Sequence, residues 1–404
     1  MPKVKDMDDL AFPISFWVAP PAELVRYQEV AECGFTVVPV PAETPDAGRY
    51  ALDLAQQVGL KAVIVDPRIH RDLPDQPGWE GVVQAVIDDY GRHPALWGYF
   101  LTDEPSFGHF ANLARLTKAF QERDPAHVPY INLFPNYASA EQLGTVDYRQ
   151  HVHAFLEIVR PPILSYDHYA LMEWGDRPEY FANLEVIRAE ALWAGVPFWN
   201  IILSTPHFCY RDPSPADLRW QVYTTLAYGG KGLAYFTYWT LDVENYRNGI
   251  IGLYGQRTAK YEVVRQLNLE LQHLGPHLRG LTSRAVYHWP DAPQGARVLP
   301  GDGLVASLEG EVHGGRGQFV IGEFTDADGL PWVMVVNRDR ERSVWTTLKL
   351  RTVHGVAEEV ARSTGRLRAI ARDQGVEAGR RYADGLVLQF WLAPADGRLI
   401  RLSG

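Results

Sequence analysis

Short apolar runs alternate with amphipathic stretches over roughly the first 275 residues of the chain. Such alternation predicts repeated βα units around a parallel sheet. Strands that are buried on both faces read as continuous apolar runs, and AVIV at 62–65 and NIIL at 200–203 fit this pattern. The eight predicted strands cover residues 14–19, 36–40, 62–66, 96–102, 130–134, 163–167, 198–203 and 232–238.

The stretches between these strands carry helix start and stop signals. Ser214, Pro215 and Asp217 supply an N-cap, a proline in the first turn and an acid in the same turn. Pro21 and Gly34 bracket the first helix in a similar way. Eight strand–helix units close a parallel sheet on itself, and about 250 residues is typical of that fold. The sequence therefore predicts an α/β fold, a (β/α)8 TIM barrel.

The pattern changes after about residue 280, where helical periodicity largely stops. Short alternating runs such as 318–324 and 332–337 are separated by Asp-Gly, Gly-Gly and Asn-Arg-Asp turn signals. We therefore expect a catalytic (β/α)8 barrel over residues 1–280 and a C-terminal all-β sandwich domain over residues 281–404. One segment, 353–364, is also compatible with a short helix.

Composition and charge argue against several classes of partner. The 404 residues carry a formal net charge of −10, whereas nucleic-acid binding requires clustered lysine and arginine. No stretch approaches the ~20 apolar residues of a membrane span, and the N-terminal segment has no apolar run typical of a signal peptide. Cys33 and Cys209 are expected to be free thiols, as in a reducing compartment. These features predict a cytoplasmic protein that binds neither nucleic acid nor membrane.

Carboxylates and aromatic side chains follow the predicted strands. The active site of a TIM barrel lies at the carboxyl ends of its strands, so the residues there are the candidates. Asp103 and Glu104 end the fourth strand, and Asp167 ends the sixth. The residues predicted to contact substrate are Trp17, Asp66, Asn136, His168, Tyr169, His207, Tyr238 and Trp239.

This combination of side chains is typical of glycoside hydrolysis. The reaction needs one carboxylic acid that protonates the leaving oxygen and a second carboxylate that acts as nucleophile or base. A partly desolvated strand end beside another carboxylate raises the pKa of the acid toward neutral. Aromatic rings stack on the apolar faces of sugars. We therefore expect a carbohydrate substrate.

The segment WGYFLTDEP, residues 97–105, resembles the fourth-strand acid/base motif of the large clan of retaining glycosidases that includes the family 42 β-galactosidases. In that clan an Asn-Glu pair, often followed by proline, ends the strand, and its Glu is the acid/base. The resemblance implies this role for Glu104 and a β-galactosidase-like activity. Residues 165–169, 198–207 and 227–240 also resemble bacterial barrels related to family 42, which implies a similar layout over most of the barrel.

The chain departs from the clan's pattern at two places. Asp103 stands where the clan has asparagine. The clan also has its nucleophilic Glu at the end of strand seven, and residues 198–208 contain neither Glu nor Asp. The resemblance therefore assigns no nucleophile. Asp167 is the best replacement, and the weaker candidates are Asp66, Glu173, Asp242 and Glu244.

Three mechanisms are compatible with these residues. Asp167 either attacks the anomeric carbon with retention or activates water with inversion, and carboxyl separations of roughly 5–5.5 Å and 6.5–9.5 Å distinguish the two. In the third, Asp103-Glu104 resembles the Asp-Glu pair of N-acetylhexosaminidases. There the Glu is the acid, and the Asp orients a substrate acetamido group that itself attacks. No protein nucleophile is then required, and Tyr169 or Tyr238 would assist.

Other interpretations concern binding rather than catalysis. The missing acid on strand seven favours, as an alternative, a non-catalytic carbohydrate-binding barrel. Asp66 and Arg68 are expected to form an internal ion pair. We expect no metal and no cofactor, because His168 and His207 belong to no His-x-x-x-His or His-Glu-x-x-His pattern. Relatives of the family 42 type commonly assemble, which implies a homo-oligomer.

Overall fold

The computed structural model describes residues 12–353, 355–370, 380–382 and 385–404. Eight parallel strands form one sheet: β1 (Ile14–Phe16), β2 (Val37–Pro41), β3 (Lys61–Val65), β4 (Leu96–Asp103), β5 (Val128–Leu133), β6 (Leu164–Asp167), β7 (Phe198–Leu203) and β8 (Gly232–Phe236). Hydrogen-bonded neighbours follow the order β1-β8-β7-β6-β5-β4-β3-β2. The eight strands predicted from the apolar runs are confirmed, although their ends differ by up to a few residues.

The sheet is brought close to closure by contacts between β1 and the residue before β2. The Thr36 N–H donates to the Ile14 carbonyl at 3.0 Å, and the Thr36 hydroxyl accepts from the Ile14 N–H at 2.8 Å. A side-chain oxygen thus replaces a backbone acceptor where the first strand is short. The result is the predicted parallel barrel.

Helices connect the strands. In the described residues they are α1 (Leu24–Glu32), α2 (Pro45–Gln57), α3 (Trp79–Tyr90), α4 (Phe110–Arg123), α5 (Ala140–Leu143), α6 (Tyr148–Ile158), α7 (Tyr180–Ala194), α8 (Pro215–Ala227) and α9 (Ala259–Arg279). The predicted N-cap of α8 is confirmed, since the Ser214 hydroxyl accepts from the Asp217 N–H at 3.1 Å. The Asp217 carboxylate in turn accepts from the Ser214 N–H at 2.9 Å.

Apolar side chains fill the interior of the barrel. One cluster consists of Val37, Val63, Trp97, Val128, Tyr130, Ile163 and Trp199. The indoles of Trp97 on β4 and Trp199 on β7 stack with their centroids 5.1 Å apart. Gly232 makes room for this stack, because a Cβ there would lie 2.5 Å from the Trp199 ring. The barrel is therefore a packed core, and its chemistry is confined to the rim.

The chain after α9 forms two antiparallel sheets. One contains, in hydrogen-bonded order, Thr282–Trp289, Phe319–Thr325, Pro331–Asn337, Gly397–Ser403, Val356–Val360 and Leu367–Ala369. The other contains Gly315–Arg316, Val305–Val312, Val344–Leu350, Gly385–Leu392 and Arg380–Tyr382. Apolar residues from both sheets pack into one core cluster, which confirms the predicted β-sandwich.

The expectation of a short helix over residues 353–364 is wrong, because Val356–Val360 form a strand. Glu359 is buried on this strand and pairs with Arg368 at 2.6 Å and with Arg398 at 2.9 Å. Two arginines from neighbouring strands therefore neutralise the buried Glu359 carboxylate. In the sequence alone, this glutamate makes the segment compatible with a helix.

Contacts divide the chain into two compact units. The first contains the described residues up to Arg177 with Val186–Asp212 and Gly232–Asn268, and it holds all eight barrel strands. The second contains Pro178–Glu185, Pro213–Lys231 and the described residues from Leu269 onward. Within the second unit, α8 packs against Phe319–Thr325 and Pro331–Asn337.

Two expectations from composition can be compared with the structure. Cys33 and Cys209 are free thiols, as expected. Burial raises the pKa of the Cys33 thiol well above its ordinary value, which makes it unreactive. Among the described residues, no helix is long and apolar enough to cross a membrane.

Candidate active site

A cavity of about 440 Å³ opens at the carboxyl ends of the barrel strands. Six of the eight strands contribute to it, through residues that end the strand or follow it closely. The lining residues are Trp17, Asp103, Glu104, Asn132, Phe134, Pro135, Tyr137, Ala138, Gln142, Asp167, Tyr169, His207, Phe208, Tyr210, Phe236 and Tyr246.

The end of β4 brings two adjacent carboxyl groups into this cavity. In a regular strand, Asp103 and Glu104 would face opposite sides of the sheet. Glu104 instead has a φ of 41°, in the left-handed region that residues other than glycine rarely adopt. Its N–H still donates to the Asn132 carbonyl on β5 at 2.9 Å, so the sheet holds the unusual conformation. Backbone strain of this kind clusters at functional sites.

The carboxyl groups of Glu104 and Asp167 are hydrogen-bonded to each other. Such a bond requires a proton on one of the two groups. Burial and then the negative charge of Asp103 raise the pKa of Glu104, the hydrogen bond to Asp167 lowers it, and the net pKa is about 7. Burial and the charges of Glu104 and Asp103 raise the pKa of Asp167 well above its ordinary value. The pair therefore keeps a proton near neutral pH, as a general acid must.

Asn132 on β5 lies between the acids. Its amide nitrogen donates to Asp103 at 3.0 Å and to Asp167 at 2.9 Å. Its carbonyl oxygen accepts from the Ser165 hydroxyl at 3.1 Å, and Ser165 contacts the Tyr130 hydroxyl at 2.9 Å. Both amide hydrogens and the amide oxygen are thus engaged, which fixes the orientation of the side chain. Asn132 thereby fixes the positions of two carboxyl groups.

The three carboxyl groups form one compact cluster. Because one amide nitrogen contacts both, the bonded oxygens of Asp103 and Asp167 lie within about 6 Å of each other. Glu104 and Asp167 are in direct contact. Retaining hydrolases separate their two carboxyl groups by roughly 5–5.5 Å and inverting ones by 6.5–9.5 Å. The separation that applies to Glu104 and Asp167 stays a prediction, and the stereochemistry of the product would distinguish the two mechanisms.

His207 follows β7 and contributes a neutral ring to the cavity. Its Nδ1 lies 2.8 Å from the Thr205 carbonyl, an acceptor, so Nδ1 carries the hydrogen and Nε2 has a lone pair. Burial lowers the pKa of His207, which keeps the ring uncharged. The ring stacks on Tyr246 with centroids 4.7 Å apart. In the described chain, no group of three or more His, Cys, Asp or Glu side chains is arranged to hold a metal ion.

Three tyrosines of the cavity wall share a contact with Arg177. The guanidinium lies 3.8 Å from the centroid of the Tyr137 ring. It donates to the Tyr169 carbonyl at 3.2 Å and to the Tyr210 hydroxyl at 3.4 Å. Arg177 follows a short ladder, Leu171–Met172 with Gly175–Asp176, and does not itself line the cavity. It thus holds the wall from behind.

The structure brings together about half of the predicted site residues. Those that line the cavity are Trp17, Asp103, Glu104, Asp167, Tyr169 and His207. Those that do not are Asp66, Asn136, His168, Tyr238 and Trp239, and neither do the weaker nucleophile candidates Glu173, Asp242 and Glu244.

Asp66 is occupied by other groups. It accepts from the Arg68 guanidinium at 2.9 Å and 2.7 Å and from the Tyr90 hydroxyl at 3.0 Å. Burial raises its pKa, but these hydrogen bonds outweigh burial, and the net pKa is lowered. The ion pair expected between Asp66 and Arg68 is therefore confirmed.

Tyr238 and His168 are fully buried and do not line the cavity. Tyr238 packs against Phe16 at 4.6 Å and Phe35 at 5.5 Å between ring centroids. His168 meets the Tyr137 ring edge-on at 5.1 Å, and burial lowers its pKa to about 3. His168 therefore supports the wall through Tyr137, whereas Tyr238 packs on rings that do not line the cavity.

Trp239 and Asn136 lie beyond the ends of their strands. The Trp239 indole stacks with the Arg26 guanidinium, 5.2 Å from the ring centroid. Asn136 follows Pro135 in the turn after β5, and the asparagine that lines the cavity is Asn132, one residue before the end of the strand.

Several cavity residues were not predicted: Asn132, Phe134, Tyr137, Gln142, Phe208, Tyr210, Phe236 and Tyr246. The sequence could have indicated Asn132, because it is a polar residue in an otherwise apolar strand. Tyr210 and Tyr246 lie in loops several residues beyond the strands, and nothing in their local sequence connects them to the site.

No protein-family model matches the sequence, and no curated protein matches it. Solved structures do. One described as a glycoside hydrolase has a TM-score of 0.58 at 14% identity, over 97% of this chain and 93% of its own. The β-galactosidase from the psychrophilic Marinomonas ef1 has a TM-score of 0.56 at 9% identity, over 97% and 100%. A GH27 β-L-arabinopyranosidase from Geobacillus stearothermophilus has a TM-score of 0.51 at 11% identity, over 98% and 97%.

At such low identities the similarity establishes the fold. It agrees with the parallel eight-stranded sheet and the antiparallel sheets found in this chain. The chain therefore has the (β/α)8-barrel fold of these glycoside hydrolases, followed by an antiparallel β-sandwich.

Proposed function

We propose that this protein hydrolyses a glycosidic bond, with Glu104 as the general acid. The observation that carries the proposal is the hydrogen-bonded pair of Glu104 and Asp167, which keeps a proton near neutral pH in a cavity rich in aromatic rings. The names of the solved structures with this fold support a carbohydrate substrate. The β-galactosidase-like specificity and the cytoplasmic location stay predictions.

Asp167 shares a proton with Glu104 through their hydrogen bond, which lowers the pKa of Glu104 and raises that of Asp167. The sequence suggested it as the nucleophile, but an attacking group must approach the anomeric carbon from the face opposite the acid. The hydrogen bond to Glu104 engages Asp167, so we assign Asp167 a role in support of the acid. Asp103 is the most exposed of the three carboxyl residues and lines the cavity, so we assign it the contact with the reacting sugar.

Glu104→Gln tests the acid role. We expect kcat to fall by about 10²–10⁴ on glycosides with poor leaving groups, because protonation by a positioned acid contributes about that much. The loss should be far smaller on 2,4-dinitrophenyl glycosides, which need little protonation. Glu122→Gln on α4 is the control, since it makes the same change at an exposed position. Equal losses on both classes of substrate would remove Glu104 from this role.

A second candidate is substrate-assisted hydrolysis of 2-acetamido sugars. It is favoured by Asp103, an exposed carboxylate directly beside the acid, and by the contact that occupies Asp167. We expect aryl 2-acetamido-glycosides then to be cleaved at least ~100-fold faster than their 2-hydroxy counterparts, with retained configuration by NMR. Asp103→Asn should abolish that preference. If the wild type binds sugars by calorimetry and cleaves none, the non-catalytic alternative is favoured.

A further inference from the structure

The charges around the cavity all have one sign. Asp103, Glu104 and Asp167 line it, and no lysine or arginine within the described ranges does so. Arg177 stands behind the wall, where its guanidinium is engaged by the Tyr137 ring and by the Tyr169 carbonyl. No side chain that lines the cavity is therefore placed to neutralise an anion.

His207 does not supply a positive charge either. Its Nδ1–H donates a hydrogen bond to the Thr205 carbonyl, and burial lowers the pKa of the ring. The ring atom that can contact a ligand is Nε2, and in the neutral ring this nitrogen accepts a hydrogen bond. A hydroxyl or an ammonium of a sugar can donate to it, whereas a carboxylate cannot.

The amide hydrogens of Asn132 are also committed. Both hydrogens of Asn132 go to Asp103 and Asp167. An anion would need several N–H donors or a cation to replace its hydration, as at a helix N-terminus or a backbone nest. Apart from neutral donors such as the Gln142 amide and the tyrosine hydroxyls, the cavity offers carboxyl oxygens and the faces of aromatic rings, and those faces carry the negative end of the ring quadrupole.

We propose that this cavity selects its glycosyl unit by charge: it accepts an uncharged or ammonium-bearing sugar and excludes sugars that carry carboxylate, sulfate or phosphate. This proposal rests on the proposed hydrolase function and names its substrate class. An ammonium group is attracted by the unpaired charge of the carboxyl cluster and by the ring faces. A carboxylate in the same place meets like charge at a few ångströms in a partly desolvated site.

Matched substrates test the selection. In the galacto and gluco series, the 4-nitrophenyl β-glycoside, the 2-amino-2-deoxy glycoside and the uronide differ by one group each. We expect kcat/KM for the uronide to be at least ~100-fold below that for the neutral sugar, and kcat/KM for the amino sugar to equal or exceed it. A uronide within a few-fold of the neutral sugar would overturn the proposal.

Calorimetry with the matching methyl glycosides separates this proposal from the hydrolase assignment. If no glycoside is cleaved but the neutral and amino sugars bind more tightly than the uronide, the charge selection stands and the hydrolase assignment fails. Efficient cleavage of the uronide would overturn the charge selection and leave the hydrolase assignment standing. Equal dissociation constants for all three sugars would also overturn the charge selection.

A pair of variants at Gln142 tests whether the selection between sugars is electrostatic. Gln142 lines the cavity, and its side-chain oxygen accepts from the Ser139 N–H at 2.9 Å to cap the short helix α5. Gln142→Lys and Gln142→Met both lose that cap, but only the lysine adds a positive charge. We expect Gln142→Lys alone to raise the ratio of uronide to neutral-sugar kcat/KM, by about 10-fold. The same ratio in both variants would contradict an electrostatic origin.

Discussion

Asn132 donates from one amide nitrogen to both Asp103 and Asp167, at 3.0 Å and 2.9 Å. These bonds lower the pKa of each acid and oppose the effect of burial. Asn132 is therefore a positioning residue, which acts through the carboxyl groups that it orients. The Asn132 side chain is also almost completely buried.

Asn132→Ala should lower kcat by about 10–100-fold, the usual effect of removing a group that orients catalytic residues. With the donor gone, the pKa of Asp167 should rise further, so the pH dependence of kcat/KM should change as well. Asn112→Ala removes a surface amide that contacts Asp75 and serves as the control. A variant with wild-type kcat and an unchanged pH profile would contradict the positioning role.

The activity should decline as pH rises through about 7. Glu104 donates a proton only in its protonated form, and its raised pKa of about 7 keeps that form present below this pH. Asp103→Asn removes a negative charge that raises the pKa of Glu104, so this pKa should fall. The profile of kcat/KM against pH should therefore show the falling limb at lower pH in Asp103→Asn, and a limb that moves upward would contradict this assignment.

Glu104 should also reduce the stability of the fold above neutral pH. The folded protein holds this proton more tightly than the unfolded chain, so stability is lost as pH rises from the ordinary pKa of 4.5 through about 7. Gln cannot ionise, and Glu104→Gln should raise the free energy of unfolding by roughly 1–3 kcal/mol at pH 8, reduced by the solvent that reaches the side chain. The gain should vanish near pH 4. Urea unfolding at the two pH values measures it, and equal gains at both would point to packing instead.

Arg177 should affect substrate binding more than chemistry. It stacks on Tyr137 and donates to Tyr169 and Tyr210, three residues of the cavity wall, without touching the acids. Arg177→Met should raise KM by about 10-fold and leave kcat within a few-fold of wild type. Arg177→Lys should recover only part of the loss, because an ammonium lacks the planar, forked donor. A fall in kcat with unchanged KM would contradict this role.

The barrel was predictable because its strands are buried on both faces. Short apolar runs such as AVIV at 62–65, placed between helix start and stop signals, favour covered parallel strands, and AVIV and NIIL both lie in strands of the barrel sheet. Glu104 was predictable for the related reason that barrels place their chemistry at strand ends. These rules are local, and they need no knowledge of which strands become neighbours.

The rest of the site depends on contacts between distant segments. Asn132 lies inside a strand and becomes a site residue only because β4 and β6 flank β5 with acids. Asn136 satisfied the strand-end rule, but the turn at Pro135 leaves it outside the cavity lining. The contact between Glu104 and Asp167 joins strands that are not neighbours in the sheet, which no spacing in the sequence reveals.

The discontinuous second unit has a consequence for synthesis of the chain. Helix α8 packs on Phe319–Thr325 and Pro331–Asn337, which are synthesised about 90 to 110 residues after the helix ends at Ala227. Until then the apolar side of α8 lacks its partners. A chain truncated near residue 280 would keep every barrel strand and every cavity residue, but it would leave α8 uncovered and prone to aggregation.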